Sequence, residues 1–277
     1  MGVRPGMNAF PIAGSALLTP LGNGIEQNIQ AVQELKQGMK TGFFPGTLLS
    51  DFPLAGFTDE EMAAMMECTQ TRYRFDALVL SLVEQLKKEH SIDWSSPETL
   101  IILSTTKGDI ECLGTAQERD SLLTTAAEKI QHAFATRSKV HIISNACISG
   151  ISACIYATRM LSTSAYRQAC IIGCDVLSEF VSSGFHSFHA LSKDICRPFD
   201  AKRDGINLGE AAAALILKKD HPGSVFIGAG FITNDANHIS GPSKTGDELA
   251  FAIHQSLNEW QVEAGDLSFI SAHGTAT

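Results

Sequence analysis

The sequence predicts an α/β protein built in layers, with strands and helices alternating along the chain around a mostly parallel sheet. Three observations carry that prediction. The runs TLIILS at 99–104 and QACIIG at 168–173 are short and almost wholly apolar, as strands buried on both faces are. Segments around them place apolar residues at helical spacing, as in Leu78, Leu82 and Leu86. The stretch KVHIISNACISGISACIYATRMLS at 139–162 passes from a β-branched strand into a helix with no linker.

Residues 10–22 read as a strand, then a loop broken at Pro20 and Gly22, and a helix is expected from about 25 to 35. Thr58-Asp59-Glu60-Glu61 has the form of a capping box, so a helix should start there and run through Met62, Met65 and Met66. Methionines at that spacing read as core. Further helices are expected over 75–88 and 121–134, and a strand over 140–146. The loop TTKGDIECLGT after the 99–104 strand is polar and Gly-containing, the kind of strand-end loop that carries function. Residues 178–200 are aromatic and Ser-rich and read as irregular. NLGEAAAALILK and SVFIGAGFIT predict two adjacent antiparallel strands. Gly228-Ala229-Gly230 lacks the third glycine and the following helix of a dinucleotide fingerprint. A helix over 246–260 and a strand over 267–272 precede His273-Gly274-Thr275-Ala276-Thr277.

With 277 residues the chain has ample length for a core. A net charge of −9 and the lack of any Lys/Arg-rich run argue against a nucleic-acid surface. An acidic carrier protein remains eligible as a partner, because local basic patches suffice for it. No apolar stretch reaches the ~18–20 residues that span a bilayer. MGVRPGMNAF lacks the apolar core of a signal peptide, and Met7 is a candidate for the natural start. Seven cysteines, an odd number with no C-x-x-C pair, point to reduced thiols in the cytoplasm and to no metal site. Cys170 and Cys174 read as small core hydrophobes.

Cys147 stands at the strand–helix corner, where helix amides and the macrodipole favour a thiolate. A buried small residue is the plain reading of a lone cysteine; a nucleophile is the sharper one. A hydrolase elbow would want Gly-x-Ser/Cys-x-Gly, and Asn145 occupies its first glycine position.

Several segments, in order, resemble the β-ketoacyl-acyl carrier protein synthases, the decarboxylating condensing enzymes of the thiolase superfamily. They are IAGSALLTPLG, NACISG, IIGCDVLSEF, GFHSFHALS, RPFDAKRDGINLGE, TNDANHISGP and SAHGTAT. The resemblance implies a thiolase-like α/β fold of layered mixed sheets with buried helices. Residues 7–245 would form its first half, and 246–277 the start of the second. It implies that Cys147 takes an acyl chain as a thioester. His273 would help stabilise charge as a malonyl group loses carbon dioxide, and Thr275 and Thr277 would hydrogen-bond a phosphopantetheine arm. The substrates would ride on acyl carrier protein, with no cofactor of the enzyme's own, and the product would serve fatty acid or polyketide synthesis. A homodimer joined through the 168–173 strand is expected from the same resemblance. Asp200, Arg203, Asp204 and Glu210 read as a salt-bridge cluster supporting the site, and His186, His189, His238 and His254 as structural or surface groups.

Two departures stand out. The family's G-E-G-A-G is Gly209-Glu210-Ala211-Ala212-Ala213 here, adding two methyl groups near the acyl pocket. The family also runs on past HGTAT to a second catalytic histidine, a lysine and a Gly-Phe-Gly gate, so this chain reads as truncated. Three functions follow: a condensing enzyme, a non-catalytic partner subunit like a chain-length factor, or an acyl-accepting fragment. Chain-length factors lose the nucleophile, so Cys147 counts against the second. A truncated half should expose a broad apolar face.

Overall fold

The computed structural model describes residues 9–42, 49–235, 243 and 245–273; Met7, His238, Thr275 and Thr277 lie outside them. The chain opens with β1 (Phe10–Thr19), turned by β2 (Gly22–Asn23) into α1 (Ile25–Gln33). Asn28 fixes that turn. Its Oδ1 accepts from the Thr19 hydroxyl, and its Nδ2 donates to the Gly22 and Gly24 carbonyls at 2.9 and 2.8 Å. Short strands β3 (Lys40–Thr41) and β4 (Pro53–Ala55) lead to α2 (Asp59–Thr69). Its capping box is present: Glu61 N donates to Thr58 Oγ1 at 3.2 Å, and Thr58 N donates to the Glu61 carboxylate at 2.8 Å. Met62 is buried, and Met65 and Met66 pack against the core.

Next come α3 (Arg74–Glu89), β5 (Thr99–Ser104), α4 (Leu123–Ala133), β6 (Val140–Ile143), α5 (Ser149–Ser162) and β7 (Gln168–Asp175). The described chain finishes with α6 (Glu179–Ser187), β8 (Leu208–Gly209), β9 (Ala211–Lys218), β10 (Phe226–Ile227) and α7 (Asp247–Trp260).

The main sheet has the order β10-β1-β9-β7-β5-β6, with β2 attached to β1. β5 runs parallel to β6 and β7, while β9 is antiparallel to both β7 and β1. The sheet is therefore mixed, not mostly parallel. After β7 the chain does not cross a face: α6 stays at the strand's end, against the single turn at 110–112. The chain re-enters the sheet from the end it left, and so runs antiparallel.

Period-two burial sorts the side chains. Ile101, Leu103, Cys170, Ile172, Ala214 and Ile216 pack with α2, α3 and α4 on one face. Leu100, Ile102, Ala169, Ile171 and Leu217 pack with Ala153, Ala157 and Leu161 of α5 on the other. Phe75, Leu78, Leu82 and Leu86 of α3 are fully buried, at about 1.5–3 kcal/mol each.

Four expectations need correction. β10 pairs with β1 and not with β9, because β1 and β7 occupy both edges of β9. Residues 178–200 contain α6, capped by Ser178, whose Oγ accepts from Val181 N at 3.3 Å. Residues 267–272 form no strand. Strand 168–173, expected to join a dimer, has no open sheet edge, because β5 and β9 fill both edges of β7; among the described residues an open edge belongs to β6.

Gly228-Ala229-Gly230 is a packing device. A Cβ at Gly228 would stand 1.3 Å from the Trp260 ring, and one at Gly230 would stand 2.8 Å from Ile155. Trp260 Nε1 also donates to the Ala229 carbonyl at 2.7 Å, so this segment seats α7. Leu249, Phe251 and Ile253 of α7, with Phe269 and Ile270, form an exposed apolar set. Among the described residues no helix is long and apolar enough to cross a membrane.

Glu210 does not join Asp200, Arg203 and Asp204. Asp204 accepts from the Ser192 hydroxyl, Asp200 accepts from Lys202 N, and Arg203 donates to the Asp200 carbonyl. Glu210 is buried and pairs instead with Arg74 on α3, also buried. Its carboxylate accepts in addition from Phe57 N at 2.9 Å and Leu177 N at 3.1 Å. Truncation of one partner in such a pair strands the other charge. Glu210→Ala is expected to cost about 3–5 kcal/mol by urea unfolding, and Glu210→Gln, which keeps an acceptor, less. A loss under about 1 kcal/mol for the alanine variant would contradict this.

Candidate active site

The corner between β6 and α5 is fixed by its own short segment. Ala146 takes a left-handed backbone, φ 46°. Ser149 clamps the turn: its Oγ accepts from Asn145 N at 2.8 Å and donates to the Ala146 carbonyl at 2.6 Å. Asn145 Nδ2 donates to Ser152 Oγ at 3.3 Å. Cys147 is exposed, one residue ahead of Ile148, the N-cap of α5. The positive end of the helix dipole therefore begins one residue beyond it. Burial pushes Cys112 up to about 11 and Cys170 up to about 12, and holds Cys174 well above its ordinary value, so those three stay thiols.

Cys147 borders a chamber of about 230 Å³. Its walls are Thr106, Lys107, Gly108 and Ile110 after β5, Asp175 and Leu177 at the end of β7, Val181 and Phe185 of α6, and Leu208-Gly209. The chamber thus stands at the carboxyl ends of the parallel strands, where open α/β sheets bind ligands. Asp175 anchors one wall, its Oδ1 accepting from Thr105 Oγ1 at 2.9 Å, Thr106 Oγ1 at 2.9 Å and Thr106 N at 3.0 Å. Through the shared Lys107, Ile110, Val181 and Phe185, the chamber meets a groove of about 1020 Å³ that also takes in Leu113, Phe180 and Phe188. Of the two added methyl groups, Ala211 lies in a separate depression with Thr19 and Asn28, and Ala213 is exposed, so neither fills this chamber.

Behind the wall, Asp109 is buried between Gly108 and Ile110, with Asp76 of α3 and Lys129 of α4 beside it. Lys129 Nζ lies 2.5 Å from Asp76 and 3.5 Å from Asp109, with Asp120 at 3.9 Å. Neither Asp109 oxygen has a hydrogen-bond partner as placed, nor does Asp76 Oδ1. A proton held on Asp109 and shared with Asp76 resolves both. Desolvation first, and the Asp76 charge second, accordingly raise Asp109 to about 8 against the pull of Lys129.

Two family models match in succession: the β-ketoacyl synthase N-terminal domain over 98–222 and the C-terminal domain over 224–277. The chain belongs to the β-ketoacyl synthase family. Members are acyltransferase-type condensing enzymes of fatty acid and polyketide synthesis. A relative named "Putative 3-oxoacyl-[acyl-carrier-protein] synthase, mitochondrial" from Schizosaccharomyces pombe is 27% identical, covering 98% of this chain and 74% of its own. A chain of the complex of the ketosynthase ApeO with its chain length factor ApeC, from Xenorhabdus doucetiae, superposes with a TM-score of 0.78 at 22% identity, over 100% of this chain and 74% of its own. A type II polyketide ketosynthase solved with its acyl-carrier protein, AntDE:AntF, gives 0.74 at 19% identity, over 98% and 74%. The fold is thiolase-like, as these β-ketoacyl synthase neighbours have it.

Within this β-ketoacyl synthase, Cys147 stands at the chamber, while His273 is exposed and does not line it. Asp175, Lys107 and Phe185 also belong to the chamber. Asp175 and Phe185 lie in the segments IIGCDVLSEF and GFHSFHALS, which gave neither a role, and Lys107 lies in the polar TTKGDIECLGT loop.

Asp109 also sets a pH dependence. Between the ordinary carboxylate range and about 8, the folded chain keeps a proton that the unfolded chain has lost. More protons bound when folded means that stability falls as pH rises through that window. Glu111, raised chiefly by burial, adds in the same direction. Asp109→Asn should flatten the fall in urea midpoint between pH 6 and pH 8.5 without abolishing it; parallel profiles for the two proteins would refute the shared proton.

Proposed function

We propose that this chain accepts an acyl group on Cys147 and supports decarboxylating condensation with malonyl-acyl carrier protein. The Cys147 thiolate attacks the acyl thioester, and the phosphopantetheine thiol leaves. Malonyl thioester then loses carbon dioxide, its enolate carbon attacks the Cys147 thioester, and the thiolate is released with the 3-oxoacyl product. The observation that carries this reading is an exposed cysteine at a helix N-terminus, bordering a chamber that shares four wall residues with a groove of about 1020 Å³. His273 is assigned to the enolate charge, and Thr275 and Thr277 to the phosphopantetheine arm, by their motif alone. Substrates arrive on acyl carrier protein, and no further cofactor is assigned. The domain division near residue 245 belongs to the same reading.

A partner-subunit role has one point in favour, the chain length factor bound to ApeO. The nucleophile at Cys147 weighs against it. All seven cysteines are free thiols, which supports a cytoplasmic setting. The unpaired edge of β6 offers backbone groups to a second copy, and supports a homodimer. Light scattering is expected to give twice the chain mass; a single-chain mass would refute the dimer.

Acyl transfer is tested by incubating the chain with the N-acetylcysteamine thioester of hexanoate. Intact-mass spectrometry should find one acyl group, mapped to Cys147 and absent from Cys147→Ala. Steady hydrolysis with no adduct would favour an esterase, and a label persisting in Cys147→Ala would overturn the assignment.

A further inference from the structure

The groove beyond Cys147 is apolar along much of its length, as an alkyl chain requires. Lys107 breaks that pattern at the junction, where it lines both the chamber and the groove. It is half-buried, and its ammonium donates to Thr106 Oγ1 at 2.9 Å. Among the described residues no carboxylate lies within ion-pairing distance of it. Asp175, which lines the chamber with Lys107, is engaged by the hydroxyls of Thr105 and Thr106 and by Thr106 N.

A lysine ammonium has three donors, and one is accounted for here. Water can serve the others while the groove is open. A saturated acyl chain threading from Cys147 into the groove would displace that water and return nothing, at the cost of desolvating a charge. A chain bearing a hydroxyl or carbonyl oxygen would replace the lost water. Glu111, which lines the same groove, is an acceptor for the hydroxyl proton. A carboxylate on the chain fits less well, because Glu111 and Glu179 share the groove with Lys107.

Resting on the acyl-transfer reading above, we propose that Lys107 is a specificity-determining residue. It favours acyl chains that carry an oxygen substituent within a few carbons of the thioester over saturated ones. The site's substrates then belong to the polyketide-like, incompletely reduced class.

The test compares initial rates of Cys147 loading from N-acetylcysteamine thioesters of hexanoate, 3-hydroxyhexanoate and 5-hydroxyhexanoate, read by intact mass. The unaltered protein should load at least one hydroxylated chain roughly tenfold to a hundredfold faster than hexanoate, as expected of one hydrogen bond to a charged group. Lys107→Met should bring that ratio to about one, and Lys107→Arg should keep most of it. The ratio is read within each protein, so a smaller folded fraction scales both rates and leaves it untouched. No preference in the unaltered protein, or an equal preference in Lys107→Met, would overturn the proposal while leaving acyl transfer standing. Loading of none of the thioesters would instead refute the acyl-transfer reading, and this inference with it.

Discussion

The carboxylate of Glu210 ties together segments that the β4–β8 pairing and the packing of Leu54, Leu177 and Leu208 also bring close. One side chain binds the guanidinium of Arg74 on α3, the backbone N–H of Phe57 ahead of α2, and the N–H of Leu177 after β7. Leu177 and Gly209, next to Glu210 in sequence, are both chamber walls. The pair therefore sets the distance between the helical layer that buries Phe75 and the end of the sheet where Cys147 stands. A buried ion pair returns little net stability against hydrophobic replacements, but it tolerates only one arrangement of its donors. Here four donors from three segments must converge on two oxygens, and that convergence fixes how the loops around the chamber sit.

The chamber wall after β5 depends on a similar device at shorter range. Asp175 at the end of β7 collects Thr105 and Thr106, and so ties adjacent parallel strands where their side chains give way to loop. Asp109, two residues past Lys107, is buried against Asp76 and Lys129 from the two helices behind. The loop is held from the sheet side by a carboxylate with every donor it needs. From the helix side it is held by Asp109, whose oxygens and Asp76 Oδ1 lack a donor unless a proton is shared between them, while Asp76 Oδ2 accepts from Lys129. Lys107 projects between these two anchors, and its position is set by neighbours on both sides.

How much of this could be read in the sequence followed from the range of the interaction. The Thr58 capping box, the apolar run of β5 and the leucines of α3 are local patterns, and each appears where periodicity put it. The corner at Cys147 was legible for the same reason, since Ser149 and Asn145 act within a few residues of it. Arg74 lies 136 residues from Glu210, and no spacing rule links them, so Glu210 was grouped with the charges beside it in the sequence. The neighbours of β9 were likewise invisible, because a strand's edges are filled by whichever strand arrives with the right direction, and β1 arrives from the far end of the chain. α6 was missed because Phe and Ser carry weak helical preference; the Ser178-Glu179 start was the one local signal available.

Short-range and long-range determinants divide the chemistry as well as the legibility. Presentation of the sulfur needs the β6–α5 corner, the Ser149 clamp and the buried small residues of α5, all within 140–162. Holding an acyl chain beside it needs walls contributed by β5, β7, α6 and β8, and these depend on Glu210, Asp175 and the Asp109 group. A disturbance of the long-range set should thus change which chains are accepted before it changes whether the thiol can attack. A disturbance at the corner should do the reverse. His273 belongs to neither set: it is exposed, and α7 before it is seated through Trp260 on Gly228 and Ala229. The Cys147 corner and the His273 segment are therefore built independently, the first resting on the sheet and the second on the seat of α7.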